Sequence, residues 1–448
     1  MKKYLEKLNN YFSRYYTEPS ELHKNQDPTL LLTHLRFDVI IKIIYAEFYL
    51  GITKTKFNRI LYYIHLKRLN NFKGRDSKKY NFKDYEKSFQ ILLDSIKERG
   101  FDSEITILPV DKYNKIIDGS HRLSASIVLR KGIDVIKFNS LAPVITLKRL
   151  NEFFDLKKND YILSYLIVNY IKYNKNLKII TLFPVRDKKF DERCLNILKE
   201  YGDIILTKSI GIGNLTNGFH MVKNFYFGAK WIGNLENNYQ GAAWKTKACF
   251  EKTNGIVDVL LFSPFKEEYG SIEHIKKTKE KIRSIYNIHF HSIHSSDNHE
   301  ETIRYSKLFF NSNSQFYLTR RSKVFFNRFE KLLENLISSN IDHHNFVFSG
   351  SSVMGALGLR EPKDFDIFHT LDFSLPNYLS SHNSQIKYLN KFSVQELIYN
   401  PRNYFFYMGY KFLNLKIILE MKVNRYQVRP KEKDYNDIKI IREFIGLL

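Results

Sequence analysis

The chain has 448 residues, a formal net charge of +24 at pH 7 and only two cysteines. This length is enough for two or three domains, and two cysteines exclude a disulfide framework and a cysteine-based zinc site. The charge would suit a nucleic acid, an anionic membrane face or an acidic small substrate. Abundant Lys, Asn, Ile, Tyr and Phe are also the bias of an AT-rich genome, so the charge alone does not predict a binding face.

Residues 1–84 are predicted to form a helical extension, because apolar side chains recur there at helical spacing. The most apolar run of the chain, Phe37–Ile52, is interrupted by Asp38, Lys42 and Glu47. A membrane-spanning helix would carry few or no charges, and the charged, aromatic N-terminus does not resemble a secretion signal. We therefore expect a cytoplasmic protein without a transmembrane segment, which leaves peripheral membrane contact open.

A small domain of helices and strands is predicted over residues 85–145. Its expected elements, in order, are a helix, a strand, a turn and a second strand, at Phe89–Glu98, Ile105–Val110, Lys112–Asn114 and Lys115–Asp118. A second helix follows and ends near Gly132. The second strand runs directly into this helix, so the junction lies where a strand end meets a helix start.

That junction reads Asp118-Gly119-Ser120-His121-Arg122. Ser120 is the predicted N-cap, which places His121 and Arg122 in the first turn, where unpaired N–H groups and the helix dipole attract anions. The five residues therefore predict a phosphate site, and the alternative is an ordinary strand-turn-helix junction with a good cap. The element order and this motif resemble the ParB/sulfiredoxin-like fold. The resemblance implies phosphate or nucleotide handling rather than one reaction.

Residues 146–325 are predicted to form a middle α/β domain. The run Ile256–Phe262 has the continuous apolar character of a buried strand, and the charged stretch Ile272–Ile285 is predicted to be a helix. The pattern indicates no internal repeat and no low-complexity tract.

A histidine-rich segment, His289–Glu301, lies within this middle domain. Strand alternation would align His289 with His291, but the other histidines fit neither a strand nor a helix face with them. A metal site and a polar active-site loop therefore both stay open for this segment.

The most informative stretch, Phe346–His369, lies in a predicted C-terminal domain of residues 326–448. An apolar strand ends in Ser349-Gly-Ser-Ser352, a short helix follows, and the chain returns as a strand that carries Asp364 and Asp366. Alternation places both carboxylates on one face, which predicts a divalent-metal site. The Gly-Ser-Ser turn at a helix start predicts a phosphate cradle. Together they suit phosphoryl or nucleotidyl transfer.

This pattern of strand, Gly-Ser, short helix and Asp-x-Asp resembles the nucleotidyltransferase superfamily of polymerase-β type. The residues that carry the resemblance are Gly350, Ser351, Asp364 and Asp366. The resemblance implies a third catalytic carboxylate on a later strand, for which Glu420 at the end of an expected strand, Leu415–Glu420, is the candidate. It also implies Mg²⁺ (or Mn²⁺) held by the three acids, with a nucleoside triphosphate as substrate.

Polar and basic side chains around these acids are the expected ligands of the nucleotide phosphates. The segment Arg429–Ile438 resembles the basic pattern that closes many such domains, although taken alone it is typical of an ordinary helix start. The predicted nucleotide ligands of this domain are Gly350, Ser351, Ser352, Arg360, Lys363, Lys431 and Lys433.

The predicted fold class is therefore a multidomain chain of α/β and α+β type. It comprises the helical extension, a ParB/sulfiredoxin-like domain, the middle α/β domain and a nucleotidyltransferase-like mixed-sheet domain. The predicted function is metal-dependent nucleotidyl or phosphoryl transfer to a small phosphorylated or hydroxylated metabolite. The domain order also resembles multidomain proteins of bacterial capsule and lipopolysaccharide biosynthesis, which implies a surface polysaccharide as the destination.

Two other functions are compatible with the same motifs. A ParB-like module and a nucleotidyltransferase on a basic chain would also suit an enzyme that modifies nucleic acid in plasmid, phage or defence systems. A non-catalytic nucleotide-binding scaffold with degenerate sites is the third interpretation. Nucleic-acid binding would weaken steeply with salt, because counterions are released when phosphates are neutralised.

Overall fold

The computed structural model describes residues 2–8, 10–73, 79–321, 326–338, 343–372 and 374–446. The chain divides into two compact units, Met1–Asn174 (unit 1) and Lys175–Leu448 (unit 2). The finer domain boundaries predicted at 84/85, 145/146 and 325/326 fall inside these units and stay predictions. Within the described ranges, no helix is long and apolar enough to cross a membrane. The mixed α/β character expected from the sequence is confirmed, with three small sheets among the residues that the structure describes.

Unit 1 combines a mostly helical framework with a three-stranded sheet. Its helices are α1 (Lys2–Leu5), α2 (Asp38–Tyr49), α3 (Lys56–Asn70), α4 (Phe82–Arg99), α5 (Ser120–Leu129), α6 (Leu147–Phe154) and α7 (Asp160–Tyr173), and its strands are β1 (Pro19–Gln26), β2 (Leu108–Val110) and β3 (Ile133–Phe138). The strand order is β1-β3-β2, with β1 antiparallel and β2 parallel to β3. Helix α2 is buried along nearly its whole length.

The predicted elements of residues 85–145 are partly confirmed. Helix α4 begins seven residues earlier than expected, because Asn81 and Asp84 form a reciprocal capping box at its start. The first strand is shorter than predicted. The second predicted strand, Lys115–Asp118, does not form, since a single bridge between Val110 and Ile116 is its pairing within the described residues.

The described part of unit 2 contains two sheets. Its helices are α8 (Asp191–Lys199), α9 (Leu215–Phe225), α10 (Gln240–Phe250), α11 (Ile272–Tyr286), α12 (His299–Phe309), α13 (Ser312–Leu318), α14 (Asn327–Ser338), α15 (Gly350–Ala356), α16 (Val394–Tyr399), α17 (Leu415–Val428) and α18 (Glu432–Phe444). Its strands are β4 (Lys178–Leu182), β5 (Gly202–Gly211), β6 (Ile256–Pro264), β7 (Ile293–Ser295), β8 (Phe346–Phe348), β9 (Asp366–His369), β10 (Ser380–Ser381), β11 (Tyr404–Tyr407) and β12 (Tyr410–Leu413).

The first sheet of unit 2 is antiparallel, with the order β5-β6-β4-β7. The second sheet is mixed, with the order β10-β9-β8-β12-β11; β8 is antiparallel to β9 and parallel to β12, and β10 is parallel to β9. Its core is rich in Phe and Leu, and Phe348 stacks on Phe412 across the central strand pair. The predicted strand near Ile256 and the predicted helix near Ile272 are confirmed as β6 and α11.

The predicted strand Leu415–Glu420 is wrong, because these residues form the first half of helix α17. Asn414 caps this helix by accepting a hydrogen bond from the Lys416 N–H. Leu415, Ile418 and Met421 recur at a helical spacing and are buried together. An apolar run of this length fits a buried strand or a buried helix, and packing against the sheet selects the helix.

Candidate functional site

The turn between β8 and α15 is fixed on strand β9. The Ser349 N–H donates to the Asp366 carbonyl oxygen at 2.8 Å. Gly350 has φ +57°, and a Cβ atom there would lie 2.6 Å from Asp366 Oδ2. Glycine is therefore required at position 350 for two reasons. The backbone there is left-handed, and the Asp366 carboxylate occupies the space that a side chain would need.

Gly350→Ala should lower the free energy of unfolding of unit 2 by about 1–3 kcal/mol, because it adds left-handed strain and a steric clash. Gly409→Ala is a matched control: Gly409 also has a positive φ, +84°, but nothing lies within 4 Å of its added Cβ. Urea unfolding followed by tryptophan fluorescence reports unit 2, since both tryptophans, Trp231 and Trp244, lie there. An equal decrease in the free energy of unfolding for the two variants would show that Asp366 makes no steric contact with a side chain at position 350.

Asp366 and Asp364 form the acidic part of the site. Asp364 is exposed just before β9, and Asp366 begins the strand with a side chain that is 15% exposed. Burial, followed by the charge of Asp364, raises the pKa of Asp366 to about 6, against the attraction of Lys433, Arg425 and Lys422. Among the described residues no side-chain or backbone group hydrogen-bonds the Asp366 carboxylate, and the imidazole of His382 lies 3.6 Å from it. A carboxylate in this state favours a proton or a cation.

His382, which sequence reasoning did not select, lies beside Asp366. Its Nε2 is 3.6 Å from Asp366 Oδ2, and its Nδ1 is 3.2 Å from the Ser349 hydroxyl. Burial, with the charges of Arg425 and Lys422, lowers the pKa of His382 to about 4, so its imidazole is neutral at pH 7. No motif of the nucleotidyltransferase type marks a histidine here, and the only signal would have been its place directly after a short strand.

Helices α17 and α18 bring cations to the acidic pair. Lys422 and Arg425 are tied to acids of α18: Lys422 is 2.5 Å from Asp437 Oδ2, and Arg425 Nε donates to Asp434 at 3.0 Å. Lys433 is exposed and has no ion-pair partner within the described ranges, although its charge acts on Asp366. Lys433 is therefore a cation near Asp366 that is open to an anionic ligand.

The other predicted nucleotide ligands lie around the same turn and helix. The Ser351 hydroxyl donates to Asp364 Oδ1 at 3.2 Å, while the Ser352 hydroxyl is buried without a hydrogen-bond partner in the described part of the chain. Arg360 Nε is paired with Asp437 Oδ1 at 2.8 Å, so this guanidinium already has a carboxylate partner. Lys363 and Lys431 are exposed.

The predicted third acid is not brought to the other two. Glu420 lies on helix α17, where its side chain is partly exposed. Over the described ranges, no group of three or more His, Cys, Asp or Glu side chains is arranged to hold a metal ion. The prediction of Glu420 as third ligand on a strand is therefore corrected, because the segment is helical.

The Asp118–Arg122 junction of unit 1 lies at the start of helix α5 as predicted, but the predicted strand before it does not form and the helix cap differs. Gly119, with φ +89°, is the N-cap of α5, and Ser120 is the first helical residue without a capping hydrogen bond. A Cβ at Gly119 would lie 2.6 Å from Leu108 and 2.7 Å from Arg122. The N-cap was thus predicted one residue too late in the chain, at Ser120, because the left-handed Gly119 makes the turn.

The side chains of this junction have partners within unit 1. Arg122 donates to the Ile107 carbonyl at 2.8 Å and pairs with Asp118 at 3.1 Å. His121 Nε2 is 2.8 Å from the Tyr62 hydroxyl, and burial holds the pKa of His121 well below its usual value. The role of these residues as phosphate ligands stays a prediction.

A buried charge cluster lies beside this junction. Asp38, 1% exposed, binds Arg36 at 2.9 Å and Lys42 at 2.8 Å, and Lys42 lies 3.4 Å from His65 Nε2. Arg36, which lies just before α2, also donates to the Ile116 carbonyl at 2.5 Å. This hydrogen bond connects the start of α2 to the segment before Asp118. Burial opposes ionisation of Asp38, but Arg36 and Lys42 outweigh it and hold the pKa of Asp38 well below its usual value. The sequence signal was the interruption of an apolar run by these charges.

The histidine-rich segment does not form the predicted strand alignment. His289 and His291 lie in a short 3₁₀ helix, and His294 follows on β7. His294 Nε2 is 3.2 Å from the Tyr305 hydroxyl, and burial keeps the pKa of His294 well below its usual value. The ring of His291 packs edge-on to Trp244 at 5.1 Å. These histidines are distributed between core packing and surface.

Comparison of the chain with protein-family models, with curated proteins and with solved structures finds no match in any of the three. The resemblances read from the motifs therefore stay predictions, and the geometry around Asp366 is the observation from which a function is inferred.

Proposed function

We propose that unit 2 is a metal-dependent nucleotidyltransferase that transfers a nucleotidyl group from a nucleoside triphosphate to a small phosphorylated or hydroxylated metabolite. The observation that carries this proposal is the Asp366 carboxylate. It is mostly buried, lacks a hydrogen-bond donor among the described residues, and lies beside a second carboxylate and beneath a glycine turn. A divalent cation would supply the missing partner for this carboxylate.

The residues present fit such a cation. Asp364 and Asp366 offer oxygen ligands, and magnesium in phosphate-transfer sites is often held by one or two carboxylates together with substrate phosphates. This agrees with the lack of a three-ligand protein cage over the described ranges. When bound, the cation would neutralise the triphosphate and stabilise the departing pyrophosphate.

The residues of the chain would bind and orient the substrate. Lys433, which has no acidic partner among the described residues, would attract the phosphates, while Lys422 and Arg425 are held by Asp434 and Asp437. An acceptor oxygen forms a bond to the α-phosphorus as the α–β bridging P–O bond breaks, and pyrophosphate leaves with the bonding electron pair. The proton of a hydroxyl acceptor passes to water, and a phosphate acceptor needs no proton removed.

The proposal is tested by incubating the full chain with each nucleoside triphosphate, Mg²⁺ or Mn²⁺, and sugar or polyol phosphates, and measuring released pyrophosphate. We expect release by the wild type and none by Asp366→Ala. Asp372→Ala is the matched control, because Asp372 is an exposed aspartate six residues further along the chain. No release with any pair of substrates, or equal release by Asp366→Ala, would refute the proposal.

A further inference from the structure

His382 is placed beside Asp366 by the pairing of two strands. Strand β10 runs parallel to β9, and the His382 N–H extends this pairing by donating to the Ile367 carbonyl at 2.8 Å. The His382 residue is 9% exposed, and its ring lies over Phe368 with centroids 5.7 Å apart. Backbone and ring packing therefore both define where its imidazole lies.

The two ring nitrogens of His382 face different groups. Nδ1 is 3.2 Å from the Ser349 hydroxyl, and Nε2 is 3.6 Å from Asp366 Oδ2. When Nδ1–H donates to Ser349, Nε2 carries a lone pair and is directed at the site. A histidine that binds a metal through one nitrogen and donates from the other has the same arrangement.

The separation of 3.6 Å between Nε2 and Asp366 Oδ2 is too long for a strong hydrogen bond. It is close to the distance between two ligands of one cation, since two bonds of about 2.1 Å at a tetrahedral angle place their ligand atoms about 3.4 Å apart. The position that a Cβ atom on Gly350 would take is 2.6 Å from the same Asp366 oxygen and 3.3 Å from His382 Cε1. The Asp366 carboxylate, the His382 imidazole and the Gly350 turn thus lie next to one another.

We propose that His382 Nε2 and Asp366 Oδ2 are ligands of the same divalent cation, and that the imidazole makes this site select a first-row transition ion over Mg²⁺. The inference rests on the proposed function, because the cation is the one that would serve the nucleotide. Imidazole is a good ligand for zinc, iron, cobalt and nickel, whereas magnesium takes oxygen ligands almost without exception. Substrate oxygens would complete the shell.

The test measures binding of Co²⁺ and of Mg²⁺ to the full chain by isothermal titration calorimetry. We expect Co²⁺ to bind the wild type at least about tenfold more tightly than Mg²⁺. His382→Gln should lower Co²⁺ affinity about tenfold or more, with less than a threefold change for Mg²⁺. Proton NMR of the cobalt-loaded protein should show a strongly shifted, exchangeable imidazole N–H that is absent from His382→Gln.

His369→Gln is the matched control, because His369 lies at the far end of β9 and hydrogen-bonds Ser381 at 3.0 Å. It should change neither affinity and should keep the shifted resonance. If His382→Gln is poorly folded by its melting curve, Ser349→Ala tests the same assignment, because it removes the acceptor for Nδ1–H and should weaken Co²⁺ binding several-fold. Unchanged Co²⁺ affinity in His382→Gln and in Ser349→Ala, or no shifted imidazole resonance in the wild type, would overturn the role of His382.

Asp366→Asn separates this inference from the proposed function. If it weakens Co²⁺ and Mg²⁺ alike while His382→Gln weakens neither, the cation site stands and the imidazole ligand is refuted. If Asp366→Asn leaves both affinities unchanged, the cation site itself is refuted, and the inference falls with it.

Discussion

Asp366→Asn should abolish nucleotidyl transfer and at the same time stabilise unit 2. The loss in rate is expected to be at least about 10³-fold, because removing a ligand of the cation forfeits several kcal/mol of transition-state stabilisation. The gain in stability follows from the position of the carboxylate, which is mostly buried and next to Asp364. An amide of the same shape carries no charge into that environment.

The pH dependence of this gain has a definite sign. The folded pKa of Asp366 is raised to about 6, so folding favours its protonated form. The corresponding stability is fully present below the unfolded pKa of about 4 and is lost as pH rises through about 6. In a chelator, Asp366→Asn should therefore exceed the wild type in Tm by roughly 2–8 °C at pH 7.5, which corresponds to about 1–3 kcal/mol. The difference should nearly vanish at pH 4.

Differential scanning calorimetry of both proteins at several pH values measures this difference. Asp372→Asn, at an exposed position of the same domain, should show no pH-dependent gain. Addition of Mg²⁺ or Mn²⁺ at pH 7.5 should raise the Tm of the wild type but not of Asp366→Asn, because binding to the folded state stabilises it. A wild type that is the more stable protein at pH 7.5 without metal would contradict the environment described for Asp366.

Asp38→Asn should destabilise unit 1 by about 3–5 kcal/mol, because it leaves Arg36 and Lys42 as uncompensated buried charges. His65, whose pKa is lowered to about 3 by burial and by Lys42, is neutral beside these two cations. Unit 1 has no tryptophan, so its unfolding is measured by hydrogen exchange of peptides from α2 and α5 in increasing urea.

Two variants control this prediction. Glu98→Gln makes the same charge change at an exposed position of α4 and should alter the free energy of unfolding by less than about 0.5 kcal/mol. Adding Lys42→Met to Asp38→Asn should recover part of the loss, since it removes one of the two unpaired cations. An unchanged midpoint for Asp38→Asn would mean that the cluster contributes no stability.

Local patterns in the sequence identified much of unit 2. Apolar runs and amphipathic spacing predicted β6 and α11 closely, because each pattern follows from the period of the element itself. The glycine of the Ser349–Ser352 turn was also recognisable, because a left-handed backbone favours glycine. The predicted Asp-x-Asp strand is confirmed only from Asp366 onward, since Asp364 lies just before β9. Leu415–Glu420 was misassigned because an apolar run of six residues has no decisive period.

The sequence by itself thus determined the acids and the turn at the centre of the candidate site. Only the tertiary structure decided which other side chains join them. His382 reaches Asp366 through pairing of β10 with β9, Lys433 reaches it through the packing of α18 on α17, and Glu420 stays apart because its segment is a helix. Such contacts depend on strand order and helix packing between distant segments. These long-range arrangements are selected by burial of the whole core. The spacing of residues within one segment does not predict them.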